Sequence, residues 1–341
     1  MDPYGLRRVV SPAGVLPQRA DVLDPRLPLG EDELAIEVEA LNVDAASFRQ
    51  IEQAVGPDPA RIGDEIARIV NARGKLHNPV TGSGGMLVGR VAEVGPRHPA
   101  AGALRPGDRI ATLVSLTLTP LSLRRISAVV TRAERVDCEG SAILFATGLW
   151  ARLPDDLPAP VALAALDVCG APALVARHAR PGQRVLVLGA GKSGALVCAQ
   201  ARASLCGRGE VVAADRSPEA LAAVSALELC DRTLELDATD AVAALERVSA
   251  AGGPFDLVVN CASVPGTEMA AILAVRDGGT VLFFSMATSF TAAALGAEGV
   301  GKDAHLVIGN GYVPGHADLT LDLLRRHPRL RAHFEARYAK G

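Results

Sequence analysis

Residues 185–201 carry the pattern with the most chemical content. Val185 to Leu188 reads as a buried strand, Gly189-Ala190-Gly191-Lys192-Ser193-Gly194 as a glycine turn, and Ala195 to Ala201 as the start of a helix. In such a unit the first glycine permits a tight turn, the second lets the backbone approach a pyrophosphate, and the third lets the helix pack against the strand. The helix start adds free amides and the positive end of a dipole, which favour phosphate. Asp215 ends the next strand, 21 residues beyond Gly194, where a carboxylate can hold both ribose hydroxyls and repel a 2′-phosphate. The expected cofactor is therefore NAD, with the adjacent Arg216 as the one group able to favour NADP. Asn260, Ser263 and Ser285 follow two later strands, and open α/β sheets bind ligands outside the carboxyl ends of their strands. These three are further candidates for contact with ribose or nicotinamide, and for the two serines an ordinary loop role is an equal account.

Gly191-Lys192-Ser193 also resembles the end of a nucleotide-triphosphate loop. That motif needs a glycine five positions before Gly191, where Leu186 stands inside the strand, so ATPase and kinase readings fall away.

The elements that position this turn alternate. From Pro181 onward, strands at Arg184 to Leu188, Gly209 to Ala214, Asp256 to Asn260 and Thr280 to Ser285 are separated by alanine-rich helical stretches. Such alternation predicts a Rossmann-type doubly wound parallel sheet, in an α/β fold. The first part of the chain is instead β-rich. Leu34 to Ala40 alternates apolar and acidic residues, Leu87 to Val94 follows a glycine-rich turn, and Arg109 to Val114 follows the Pro-Gly turn of Arg105 to Asp108. Between the first two of these, Asp58 can cap a helix that Pro59 opens and Gly74 closes. Its Ile62, Ile66, Ile69 and Val70 share one face, and Arg61, Asp64, Glu65 and Arg68 form a solvated one. Asp318 to Arg326 predicts a helix stopped near Pro328.

Composition bounds the remaining possibilities. At 341 residues two domains are expected, since domains hold about 100 to 200 residues each. The 35 basic residues nearly balance 38 acidic ones, so no positive field exists for nucleic acid. The six cysteines include no Cys-x-x-Cys pair, which argues against a zinc ribbon and fits reduced thiols in a cytoplasm. Pro158 to Ala176 is the most apolar stretch of spanning length, but three prolines and Asp167 interrupt it, so no membrane partner is expected.

The β-rich first part, the Gly107-Asp-Arg-Ile110 turn and the dinucleotide fold together resemble the medium-chain dehydrogenase/reductase superfamily. That resemblance implies a chaperonin-10-like catalytic domain over 1–155, completed by about 312–341, a NAD-binding domain over 156–311, and a homodimer or homotetramer. Asn42-Val-Asp44 and Gly82-Ser-Gly-Gly85 stand where the zinc alcohol dehydrogenases carry ligands, and neither offers a soft one, so no metal is expected. Lys75-Leu-His-Asn-Pro-Val-Thr-Gly-Ser-Gly-Gly-Met86, with Asn260 to Pro265, more specifically resembles the L-erythro-3,5-diaminohexanoate dehydrogenase family. The resemblance implies oxidative deamination of that diamino acid at carbon 3 with NAD, giving 5-amino-3-oxohexanoate, NADH and ammonia, as in lysine fermentation.

An amine that has lost its ammonium proton already holds the lone pair needed to expel hydride, so this chemistry does not require zinc. It does require a base, and Lys75, His77 and Asp44 are the candidates. Each has an ordinary alternative: Lys75 exposed after Gly74, His77 bonded to a loop carbonyl, Asp44 capping a helix near Ala45. For the substrate carboxylate, the amides of Thr81 to Gly85 with Asn78 or Lys75 are candidates, which brings in Thr81 and Ser83; for the distal ammonium, Asp44. Two rival readings stay open, a zinc-free NAD(P)H quinone or enone reductase and a non-catalytic dinucleotide-binding protein.

Overall fold

The computed structural model describes residues 1–285, 287–309 and 311–339. Its contacts divide the chain into two compact units, Met1–Pro160 with Tyr338 and Ala339, and Val161–Arg337.

The first unit contains β1 (Val9–Ser11), β2 (Val22–Leu23), β3 (Glu33–Asn42), α1 (Ala45–Val55), α2 (Pro59–Arg73), β4 (Met86–Val94), β5 (Arg109–Thr112), β6 (Leu121–Val130), β7 (Arg135–Phe145) and β8 (Trp150–Arg152). Six of its strands form one antiparallel sheet in the order β6-β7-β3-β4-β5-β8. The alternation read in the sequence sets its faces: Leu34, Ile36 and Val38 of β3 are buried, while Glu37 is exposed. The apolar stripe of α2 closes this core with Ile62, Ile66, Ile69 and Val70. Its ends are built as the residues predicted, with the Asp58 carboxylate accepting from the Ala60 amide and Gly74 in the left-handed region at φ 62°.

The second unit contains α3 (Ala159–Leu166), which begins at its boundary, α4 (Gly170–His178), β9 (Arg184–Leu188), α5 (Lys192–Leu205), β10 (Glu210–Asp215), α6 (Pro218–Ala226), β11 (Arg232–Glu235), α7 (Ala241–Ala250), β12 (Phe255–Asn260), α8 (Glu268–Ala274), β13 (Val275–Phe283), α9 (Phe290–Gly299), β14 (Ala304–Ile308), α10 (His316–Arg326) and α11 (Pro328–Tyr338). Its strands are parallel and run β11-β10-β9-β12-β13-β14. The chain therefore starts in the middle, winds outward one way and then the other, and the order reverses between β9 and β12. Burial on both faces explains why Val185 to Leu188 and Val211 to Ala214 are unbroken apolar runs.

Of the stretch 312–341 expected to return to the first domain, Tyr338 and Ala339 divide with the first unit and the residues up to Arg337 with the second; positions 340 and 341 lie outside the described residues. Helix α10 buries Ala317, Thr320, Leu321, Leu323 and Leu324 within the second unit, and Thr320 Oγ1 donates to Cys169 O at 3.3 Å. An apolar helix face is covered by the nearest matching surface, here next to α4. The apolar stretch 158–176 breaks into α3 and α4, bent by 49°, and no single described helix is long and apolar enough to cross a membrane.

Candidate functional site

The glycine turn stands at the reversal point of the parallel sheet. Gly189 takes φ 95°, and a Cβ there would lie 2.9 Å from the Ala262 amide nitrogen, in the loop that leaves β12. A Cβ on Gly194 would lie 1.9 Å from the Gly189 carbonyl oxygen, so helix and turn touch backbone to backbone. Gly191 has open space around it and caps α5 with no side-chain hydrogen bond, which leaves that helix start to a ligand. A cavity of about 210 Å³ opens here, lined by Gly189, Gly191, Asp215, Arg216, Asp237 and Ser263 among others. A bare helix start, an open glycine and a carboxylate at the next strand end fit a dinucleotide. A larger cavity of about 470 Å³ lies against α2 and β6; it brings together none of these groups.

The individual side chains sort differently. Asp215 lines the cavity and fastens the turn, its Oδ2 accepting from the Ala190 amide at 2.7 Å and its Oδ1 from the Ser217 amide at 2.9 Å. Lys192 Nζ forms an ion pair with Asp167 at 2.5 Å. Ser193 stays in the first turn of α5. Asn260 is 0% exposed; its Nδ2 donates to Thr267 Oγ1 at 2.8 Å and its Oδ1 accepts from the Ala262 amide at 3.1 Å. Its carbonyl accepts from the amides of Phe284 and Ser285. Asn260 therefore braces the loops after β12 and β13, a correction to its expected cofactor contact: its polar atoms are all engaged within the protein. Ser285 Oγ accepts from the Ala287 amide at 3.2 Å. Asp237, at the end of β11, is a group the sequence reading missed. Its carboxylate accepts from the amide and hydroxyl of Thr239, and these bonds, with Arg216 nearby, hold its pKa below the usual range.

In the first unit, Gly74 turns the chain out of α2 into the segment 75–85. Lys75 is 0% exposed, and its Nζ donates to the carbonyls of Thr117 at 2.7 Å, Pro17 at 2.9 Å and Gln18 at 3.4 Å. Burial, helped by Arg73 and opposed by Asp21, pulls its pKa down to about 8. At neutral pH it keeps its proton, and all three N–H groups are used. Lys75 is thus an internal brace, not the exposed residue the sequence allowed. His77 has its Nδ1 buried without a partner, so the expected carbonyl bond is missing at that nitrogen. Burial lowers its pKa, with Lys75 and Arg73 adding to the effect, and the ring is neutral at neutral pH.

Asn78 is 0% exposed. Its Nδ2 donates to Gln50 Oε1 at 2.8 Å and Ser47 O at 3.3 Å, and its Oδ1 accepts from the Val80 and Thr81 amides. The amide of Gly82 donates to Asn78 O and that of Ser83 to Thr81 Oγ1. Asn78 and the amides of Val80 to Ser83 are engaged within the turn, which uses them to shape itself. What the turn presents instead is a row of hydroxyls. Ser47 Oγ lies 2.6 Å from Thr81 Oγ1 and 2.9 Å from Ser83 Oγ, and Ser83 Oγ donates to Asp44 Oδ2 at 2.7 Å. Asp44 Oδ1 accepts from the Ser47 amide at 2.9 Å and caps α1. Ser47 and Gln50 were not read from the sequence; their only signal was helical spacing from Asp44. Among the described residues, no three His, Cys, Asp or Glu side chains gather as a metal site would need.

Comparison with known proteins bears on both units. The family model for the L-erythro-3,5-diaminohexanoate dehydrogenase N-terminal domain matches residues 7–154. A curated relative named L-erythro-3,5-diaminohexanoate dehydrogenase, from Acetoanaerobium sticklandii, is 47% identical over 338 residues, 98% of each chain. A second of the same name, from Fusobacterium nucleatum subsp. nucleatum, is 45% identical over 338 residues, again 98% of each. Among solved structures, a mycobacterial protein complexed with NADPH superposes with a TM-score of 0.57 at 20% identity, covering 93% of this chain and 92% of that one. At that identity the likeness is one of fold.

Proposed function

The chain belongs to the L-erythro-3,5-diaminohexanoate dehydrogenase family, and on that premise we propose that its second unit holds NAD in preference to NADP and that the 76–85 turn of its first unit receives the amine. The protein is an oxidoreductase that uses a nicotinamide dinucleotide on a small molecule. It converts L-erythro-3,5-diaminohexanoate, oxidised cofactor and water to 5-amino-3-oxohexanoate, reduced cofactor and ammonia. The observation that carries this is identity of 47% across 98% of the chain, which spans both the glycine turn and the hydroxyl turn.

Preference for NAD is supported by charge. Two carboxylates, Asp215 and Asp237, line the cavity with one guanidinium, Arg216, so the rim repels a 2′-phosphate, and Asp237 draws on the positive charge of Arg216 that such a phosphate would need. Gly191 and the start of α5 would hold the pyrophosphate, Asp215 the ribose hydroxyls, and Ser263 is the serine on the cavity wall free to add a contact. When bound, the cofactor supplies the hydride acceptor. The chain's own task is to strip the ammonium proton, and later to take a proton from the water that replaces nitrogen.

Neutral His77 and the Asp44 network that Ser83 joins to the 75–85 turn are the two groups suited to accept protons, with Lys75 held outside the chemistry by its three carbonyls. The six free thiols support a reducing compartment such as the cytoplasm, and an oligomer is the expectation for sedimentation to check. The test of the reaction is stoichiometry: one ammonia and one 5-amino-3-oxohexanoate per reduced cofactor. Cofactor reduction by simple alcohols with no response to the diamine would remove the reading.

A further inference from the structure

We propose that Thr81, Ser47, Ser83 and Asp44 form a directed relay that carries the carbon-3 ammonium proton of the substrate away through three hydroxyls to a carboxylate. The inference rests on the reading of the 76–85 turn as the amine's side of the reaction.

Direction follows from counting protons. A carboxylate only accepts, and each hydroxyl has one proton to give. Ser83 gives its proton to Asp44 Oδ2 at 2.7 Å, so Ser83 Oγ must accept from a neighbour. Ser47 lies 2.9 Å away and Thr81 3.3 Å away. With Ser47 as that donor, Ser47 accepts in turn from Thr81 across the 2.6 Å contact. The other order would put the weaker 3.3 Å contact in the chain. Thr81 Oγ1 also accepts from the Ser83 amide, which suits it as the acceptor end. Ser47 is 1% exposed, whereas Thr81, Ser83 and Asp44 are half-buried. The relay is thus sealed from solvent at Ser47 and reachable at its ends. Capping of α1 uses Asp44 Oδ1 alone, and the three hydroxyls and Oδ2 are surplus to it.

The transfer balances. The ammonium N–H bond breaks and leaves its electron pair on nitrogen. Thr81 Oγ1 gains that proton and passes its own to Ser47, which passes its own to Ser83, which protonates Asp44 Oδ2. One proton has entered, one rests on Asp44, and each hydroxyl again holds one. The amine now has the lone pair that oxidation of carbon 3 requires, and half-buried Asp44 returns the proton to water. Thr81 is the catalytic residue in this scheme, and the other three are relay residues that act through it.

The experiment is single-turnover cofactor reduction at saturating NAD and L-erythro-3,5-diaminohexanoate, at one pH, with imidazole buffer varied at constant ionic strength. Thr81→Val keeps the shape and removes the hydroxyl; its rate should fall about 100-fold, the lower range for a lost proton-transfer group, and should rise with imidazole, which replaces the relay. Thr81→Ser should retain most of the wild-type rate. Asp44→Asn keeps an oxygen for the Ser47 amide but has no carboxylate to protonate, and should fall as far as Thr81→Val with its folding intact. Wild type should be indifferent to imidazole. A Thr81→Val protein that turns over at the wild-type rate, that only loses substrate affinity, or that slows without responding to imidazole overturns the relay. Wild type failing to oxidise the diamine at all would instead overturn the function it rests on.

Discussion

Two glycines of the phosphate turn should separate folding from cofactor binding. At Gly194 an added Cβ would sit 1.9 Å from the Gly189 carbonyl oxygen. Carbon and oxygen pack no closer than about 3.3 Å in ordinary contacts, so α5 and the turn must part by more than about 1 Å. Forcing backbone apart in this way costs about 3 kcal/mol, which for a unit of this size lowers Tm by about 6 to 12 °C. At Gly191 the same methyl meets nothing within 4 Å, and with φ at −76° alanine there costs at most about 1 kcal/mol as a poorer helix cap. Yet that methyl enters the space through which pyrophosphate approaches the amides. Losing one charge-assisted hydrogen bond worth about 1.5 to 3 kcal/mol weakens Kd for NADH about 10- to 100-fold. Thermal melts of the free protein and fluorescence titration with NADH read the two effects separately. Gly191→Ala binding NADH as wild type does, or Gly194→Ala melting with wild type, would refute the assignment of these two roles.

Other consequences are as specific. Asp215→Asn should improve kcat/KM with NADP relative to NAD by about 10-fold or more, the equivalent of about 1.4 kcal/mol, with Asp237→Asn acting in the same direction; steady-state rates with both cofactors measure it. Lys75→Met should destabilise the protein by at least about 1 to 3 kcal/mol, the cost of leaving a buried acceptor without its donor, as denaturant melts would show. Lys75 also has a pH signature. Its native pKa of about 8 lies below the ordinary 10.5, so between these values the unfolded chain binds more protons and stability contributed by this group rises with pH. That rise should be absent in Lys75→Met. Asn260→Ala should raise the NADH dissociation rate although Asn260 need not touch cofactor, since both loops it braces are released; stopped-flow displacement would detect it.

The architecture was legible where one residue type has one use. Alternation in Leu34 to Ala40, the Asp58, Pro59 and Gly74 punctuation of α2, and the Gly189 to Gly194 turn before an apolar helix each report local geometry, and the two-unit fold follows. Strand β11 escaped because Arg232–Glu235 is short and charged with no alternation, and with it went Asp237, whose position at a strand end is its only signal. Pro328 read as a stop, but proline suits the first position of a helix and α11 begins on it. In the 75–85 segment the sequence did not show which side chains are internal. Lysine after a glycine looks exposed, and only the arrival of residues 17, 18 and 117 around it makes it internal. Asn78 likewise exchanged a ligand role for four hydrogen bonds within its own neighbourhood. Such roles depend on which distant carbonyls arrive, and residue type does not encode that.

The most direct test mixes the purified protein with L-erythro-3,5-diaminohexanoate and follows reduced nicotinamide absorbance, with NAD and NADP in parallel. Rapid reduction of NAD, slower reduction of NADP, and one ammonia released for each cofactor reduced are the expected result. Silence with the diamine, or faster reduction of NADP than of NAD, would contradict it.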